Sequence, residues 1–270
     1  MQARTKTLWW QIVVTMVFVM GLAVRVWQAA ALPEFSFQDG ARDVLVAKRL
    51  LAGQVSWEVA PASAGIIPNT PLPYWITTFW YALAGLQGVL FWHVLAGSAV
   101  MVVAYATGRM IADKQTGMVA LVITAFSPEL IRQSQVIWPT HSFVAIYALG
   151  LYVSLLALRT RQLKWYWWAV VCGWIIQMLH GSELLVVLVL EGILSWSFWQ
   201  QVRQKKVELG EFRSWIVMVA LSWVAWSLVS FGLVGRFNML QSSIELQQLP
   251  LFSWSLQDFT TTVLEYGQTV

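Results

Sequence analysis

The chain predicts an all-α, polytopic transmembrane helix bundle with a large first extracytoplasmic loop carrying a short amphipathic helix. Three observations carry that prediction. Hydrophobic residues fill 58% of the 270 positions and charged ones only 11%, against about 25% charged in an ordinary soluble domain. Several runs approach the roughly 20 apolar residues that cross a bilayer. A single long polar interruption, residues 33–73, breaks the pattern early. The net charge of +4 reflects which loops face the cytoplasm and gives no reason to expect a nucleic-acid partner. The one cysteine, Cys172, lies in an apolar run, so no intrachain disulfide can form.

Residues 8–31 read as the first span, with Arg25 near its outer end. Arg4 and Lys6 before it and Ala29-Ala30-Ala31 at its end imitate a cleavable leader. The apolar run is long for a signal core, however, and reads as a retained anchor. In 40–52, Val44, Ala47 and Leu51 share one stripe, the mark of a helix lying at a membrane surface. Pro61, Pro68, Pro71 and Pro73, with Gly65, make 61–73 an extended, rigid return into the membrane. Residues 74–111 are apolar but broken at Gly85-Leu86-Gln87-Gly88, giving either one kinked span with a half-helix or two crossings. The stretch 116–136 is a poor span, interrupted by Ser127-Pro128-Glu129 and Arg132. Cleaner spans follow at 140–158, 165–179, 184–199 and 215–235. The expectation is about seven net crossings within 1–235. Residues 236–270 turn polar and amphipathic, an extracytoplasmic segment that reads as the start of a longer loop or as a truncation.

Charge orients the bundle. With a cytoplasmic N-terminus and one net crossing in 74–111, the inside receives Arg4, Lys6, Arg109, Lys114, Arg159, Arg161, Lys164, Arg203, Lys205, Lys206 and Arg213. The outside receives Arg42, Lys48, Arg49, Arg132 and Arg236. The excess of Lys and Arg inside is the expected bias. Two crossings in 74–111 would reverse it for every later loop. Trp9, Trp10, Trp165, Trp167, Trp168, Trp196, Trp199 and Trp215 flank the basic loops, as interfacial anchors do.

Under this arrangement Asp39, Arg42, Asp43, Asn69, Glu129, Arg132, His141, His180 and Glu183 all fall on one face of the membrane. Charged groups near hydrocarbon are costly and gather where water or chemistry needs them. Asp39, Arg42 and Asp43 have the spacing that shares a helix face, although Asp39 before Gly-Ala-Arg also suits an N-cap. Arg42 with Asp43, or Arg132 with Glu129, could equally be ion pairs of little consequence. His180 and Glu183 close a tight hairpin, and no metal-site spacing of the His-Glu-x-x-His kind is present. Glu191 lies unexplained inside a span.

The order of these motifs resembles that of the bacterial GT-C membrane glycosyltransferases, the group containing protein O-mannosyltransferases and aminoarabinose transferases. A first span leads to Asp39-Gly40-Ala41-Arg42-Asp43 and a Gly/Pro-rich loop, and Pro71-Leu72-Pro73-Tyr74 opens the next helix. Ser127-Pro128, Trp138-Pro139 and Gln177-Met178-Leu179-His180 follow. The similarity spans about residues 8–200. It implies a GT-C-like bundle in the cell's inner or plasma membrane that moves a sugar from a polyprenyl-phosphate carrier, with inversion, to a glycan, lipid or protein acceptor on the extracytoplasmic face. By the same resemblance Asp39 matches the first-loop general base, a role typically worth 10²–10⁴-fold. Arg42 or Arg132 would stabilise the departing lipid phosphate, and Asp43 would orient Arg42 or help hold a cation. Asn69, His141, His180 and Glu183 complete the residues read as binding substrate or phosphate.

Where several relatives carry an acidic or Glu-Lys pair, this chain has Asn69-Thr70. Relatives that use a metal employ that acid, so no tightly bound metal is expected, and at most a loosely held divalent cation. Pro71-Leu72-Pro73 also replaces the usual double proline, and such enzymes are generally much longer. Two rival readings stand beside this one. A transporter or flippase of a lipid-linked or amphipathic substrate would show paired repeats and helices broken near mid-bilayer. A non-catalytic membrane subunit would keep the fold without the activity.

Overall fold

A computed structural model of the chain describes residues 2–31, 34–35, 37–54, 72–137, 139–179 and 184–229. In chain order these form α1 (Gln2–Ala31), β1 (Glu34–Phe35), α2 (Phe37–Leu51), α3 (Leu72–Ile111), α4 (Lys114–Phe126), α5 (Pro128–Gln135), β2 (Val136–Ile137), α6 (Pro139–Thr160), α7 (Leu163–Leu179), α8 (Leu184–Arg203) and α9 (Leu209–Ser227). The protein is a polytopic helical bundle, with one two-residue parallel bridge as its only sheet among the described residues.

Among the described residues, four helices are long and apolar enough to cross a membrane, within α1, α3, α6 and α8. The expectation of seven crossings counted three more. Of those, α4 has 13 residues and α7 has 17, about 20 and 26 Å at 1.5 Å per residue, short of a hydrocarbon core of about 30 Å. The third was expected at 215–235, and 230–235 lie outside the described residues.

The break foreseen near Gly85 proves to be a reversal. Ala84 and Gly85 leave helical geometry, Gly85 at φ +57°, ψ −141°. Trp80 then stacks on Trp92 at 5.6 Å between ring centroids and lies 5.7 Å from Phe91. In a straight helix residues 80 and 92 would be about 18 Å apart along the axis. Gly88 backs directly onto the carbonyl of Trp80, where a side chain would collide. Residues 72–83 therefore fold back on 86–111, the half-helix and span of the first reading.

Successive helices alternate in direction, and the contacts fix their register. Trp10 of α1 donates to the Tyr105 hydroxyl of α3 at 3.2 Å, while Gly21 faces Met101 and Ala125. Helices α3 and α4 meet where Gly108 and Gly117 lie against one another, the close backbone approach that small residues permit between membrane helices. Met101, Leu121 and Ala125 fill the space between.

Helices α7, α8 and α9 form a second unit around Tyr166, Phe198 and Trp215. Helix α8 holds its neighbours with polar side chains one turn apart. Ser195 accepts from Trp215 Nε1 at 3.0 Å, and Glu191 accepts from Trp223 Nε1 at 2.6 Å. Gln201 donates to the Tyr166 hydroxyl at 2.8 Å, which also lies 3.0 Å from Ser197 Oγ. Such interhelical bonds stand in for the hydrophobic drive that lipid does not supply. Trp215 is thus a fully buried core residue rather than an interfacial anchor, because its ring fills the gap between α7 and α8. Trp9, Trp168, Trp196 and Trp199 are exposed, as anchors should be.

The basic connections α3–α4, α6–α7 and α8–α9 gather at one end of the bundle. There Arg161 donates to Gln204 Oε1 at 3.4 Å, linking two of them. Asp113 caps α4, accepting from Thr116 N at 2.8 Å and Thr116 Oγ1 at 2.9 Å. Helix α2 lies at the opposite end, and it organises the site.

Candidate functional site

Helix α2 starts at Phe37, three residues earlier than the surface helix expected at 40–52. Asp39 therefore sits within its first turn and not at the cap position. Helical spacing puts Asp39 and Asp43 one turn apart on the same face, with Arg42 beside them. Much of the helix packs inward. Gly40, Ala41, Asp43, Val44, Val46, Ala47 and Leu50 are buried, Asp43 to 3% exposure. Val44 meets Val89, Leu90 and Ile137, while Val46 and Leu50 meet Tyr74. Helix α2 is thus clamped between the start of α3, the segment after its reversal, and β2. Each fully buried Val or Leu contributes about 1.5–3 kcal/mol relative to exposure in water, so the docking is firm for a fifteen-residue amphipathic helix.

A backbone bridge fastens the same region. Strand β1 pairs in parallel with β2, Glu34 opposite Val136 and Phe35 opposite Ile137. Because β1 leads into α2 and β2 follows α5, the bridge ties the start of α2 to the end of α5 at one end of the bundle. Arg132 lies on an exposed face of α5, near the end of that short helix. Its poor-span origin is explained by the chain itself: Ser127 ends α4, its N–H bonding Ile123 O at 2.9 Å, and Pro128 opens α5.

The eight site residues divide as follows. Asp39, Arg42 and Asp43 share α2, and Arg132 lies on α5, whose following strand β2 pairs with the strand β1 that leads into α2. His141 belongs to the first turn of α6, which follows β2 directly. Asn69, His180 and Glu183 lie outside the described residues, as do 236–270 and the proline-rich 61–71. No group of three His, Cys, Asp or Glu side chains comes together to hold a metal among the described residues.

Buried polar groups that single-residue reading passed over line the inside of the bundle. Gln177, a member of the motif before His180, is fully buried with neither amide atom hydrogen-bonded. Gln135 Oε1 at the end of α5 and Thr78 Oγ1 in the first arm of α3 are likewise buried and unpartnered. Arg25, expected only near the outer end of a span, is 1% exposed. It donates from Nη1 to Gly21 O at 3.0 Å and Ala125 O at 2.9 Å, and from Nη2 to Thr124 O at 2.6 Å. Glu191 lines a cavity of about 10 Å³ with Gly150, Ser154 and Gly173, room for a single water. The signal that could have found Arg25 and Glu191 is the same for both: an ionisable group inside an apolar run is a site until its partner is known.

A family model described as dolichyl-phosphate-mannose-protein mannosyltransferase matches residues 68–233, well over half of the chain. The match begins after α2 and takes in every element from α3 to α9. A search among curated proteins found no match.

Proposed function

The chain belongs to the dolichyl-phosphate-mannose-protein mannosyltransferase family, a membrane glycosyltransferase family with polyprenyl-phosphate-linked donors, and from that premise we propose that it transfers a sugar with inversion at the end of the bundle that carries α2. That end faces away from the cytoplasm, the side to which the basic loops would be confined. The observation that supports this reading is the β1–β2 bridge, which joins the strand leading into the Asp39-bearing helix to the strand that follows the Arg132-bearing helix.

In the reaction, an acceptor hydroxyl oxygen attacks the anomeric carbon from the face opposite the lipid phosphate. The new carbon–oxygen bond forms as the bond to the phosphate oxygen breaks. Asp39 takes the hydroxyl proton, and a carboxylate suits the task because the proton is lost only as attack proceeds. Arg42 or Arg132 balances the charge gathering on the leaving phosphate, by charge-assisted bonds that strengthen as that charge develops. Asp43, one turn from Asp39, orients Arg42 or helps hold a divalent cation. Asn69, His141, His180 and Glu183 bind the donor and acceptor around this pair. The acceptor is a glycan, lipid or protein hydroxyl.

The test is transfer of radiolabelled sugar from polyprenyl-phosphate donors in membranes, comparing wild type with Asp39→Asn at equal expression. Loss of transfer in the variant supports the first-loop base. Equal transfer by both proteins would reduce Asp39 to a helix-end residue. No transfer by either would point to a carrier of lipid-linked sugars or a non-catalytic subunit.

A further inference from the structure

Arg25 occupies a position where a buried ion pair would be the ordinary expectation, yet its three bonds all go to main-chain carbonyls. Two of those carbonyls explain it. In a continuous helix Thr124 O would accept from the N–H of residue 128, but that residue is Pro128, which has none. Ala125 O would accept from residue 129, which has already turned into α5. Arg25 supplies both missing donors from the neighbouring helix. Helices α3 and α5 close around it: a Cβ on Gly97 would run into Ser134 Oγ and come within 3.3 Å of Arg25 Nε.

The guanidinium therefore fixes the bend between α4 and α5 from outside. The bend sets the direction of α5, α5 ends in β2, and β2 carries β1 and so the start of α2. Arg25 itself lies on the helix that runs toward β1. It sits at the junction of the two chain segments, α1 and α4–α5, that lead into the paired strands.

We propose that Arg25 is a positioning residue of the transferase, holding the α4–α5 bend so that β2 stays paired with β1 and seats the start of the Asp39 helix. This rests on the function proposed above. Arg25 touches no reacting atom in this scheme. It acts by placing a group that does, and a misplacement of about 1 Å can cost 10²-fold in rate. Lysine substitutes poorly, because one ammonium cannot span the two carbonyls as the planar fork does.

The experiment uses a disulfide as a substitute for the arginine. Residues 34 and 136 are direct partners across the bridge, and adjacent strands lie about 4.7–4.9 Å apart, within the Cα range a disulfide accepts. The one native cysteine, Cys172, is buried, so the pair Glu34→Cys/Val136→Cys is introduced into the full chain in membranes. Three backgrounds are compared: wild type, Arg25→Gln and Arg25→Lys. The expected result in Arg25→Gln is slower formation of the 34–136 disulfide and transfer lowered by roughly tenfold to a hundredfold. The loss should fall on kcat, with KM for the lipid donor little changed. Oxidation of the pair should then restore most of the transfer, and Arg25→Lys should lie between the other two.

An unchanged rate of disulfide formation would overturn the proposal whatever the activity. Slow formation without recovery of transfer on oxidation would overturn it as well, leaving Arg25 as a tie for stability alone. If Arg25→Gln does not remain monodisperse after solubilisation, Arg25→Lys carries both readouts. A wild type without transfer would sink the proposed function, and the rate of disulfide formation would still decide what Arg25 does.

Discussion

The indole of Trp223 on α9 donates a 2.6 Å hydrogen bond to Glu191 Oε2 on α8, inside the apolar unit that α7, α8 and α9 build. Glu191 is 4% exposed and its other oxygen, Oε1, has no hydrogen-bond partner. This bond is the shorter of the two described polar ties between α8 and α9 and makes an asymmetric prediction. Glu191→Gln keeps an acceptor for the indole and should change stability little. Trp223→Phe keeps an aromatic ring, though a smaller one, but leaves both oxygens of Glu191 unpartnered, at a cost of about 1–3 kcal/mol. Thermal unfolding in detergent should rank Trp223→Phe well below Glu191→Gln. The reverse order would mean that the bond contributes nothing.

Gly85 offers a purely conformational test. Its φ of +57° with ψ −141° is open to glycine and strained for other residues, yet a Cβ added there meets nothing within 4 Å. Gly85→Ala should therefore cost about 1–3 kcal/mol from backbone strain alone. The loss should appear first as weaker protection of 72–83 in hydrogen exchange, since that arm depends on the reversal for its place on α2. Protection equal to wild type would show that the turn tolerates a side chain.

Gly108 makes the opposite case, where space decides. A Cβ there would lie 2.8 Å from Gly117 Cα and 2.8 Å from Thr116 O, both backbone atoms that cannot swing aside. Gly108→Ala should force α3 and α4 apart and cost about 1–3 kcal/mol, whereas Gly192→Ala on α8, with open space around it, should cost almost nothing. Comparable losses in the two variants would exclude close approach as the cause.

Asp113 supplies the pH dependence. The Thr116 N–H, then the Thr116 hydroxyl, hold its carboxyl below the usual aspartate value of 3.8. A lowered native value means the cap's contribution is complete above that usual value. It declines as pH falls through that range and is lost below the native value. Protection of the first turn of α4 in hydrogen exchange should follow this course. Asp113→Asn keeps a capping oxygen and should remove the acid dependence. A wild-type profile as flat as that of Asp113→Asn would count against the cap.

Much of this fold is legible along the chain because apolar runs and their interruptions are local properties. The break in 74–111 could be placed within a residue or two from Gly85, and Ser127-Pro128 announced the division of α4 from α5. What joins distant segments left no local trace. Arg25 reads as a span-end arginine until the carbonyls beside Pro128, about a hundred residues away, are seen to need donors. Trp215 has the position of an interfacial anchor, and only its neighbours Tyr166 and Phe198 reveal a core residue. For the candidate site, charge placement carried the expectation of one shared end. The β1–β2 bridge could not be read along the chain, since two-residue strands carry no periodicity.

The bridge between Glu34 and Val136 also imposes an order on how the protein is made. The stretch with α2 leaves the ribosome about a hundred residues before its partner strand exists. At synthesis rates of roughly 5–20 residues per second, it waits on the order of 5–20 s. During that interval α3 and α4 must enter the bilayer before the early segment can settle. A newborn chain is thus open on this side until β2 arrives, and the site is among the first regions begun and the last to close.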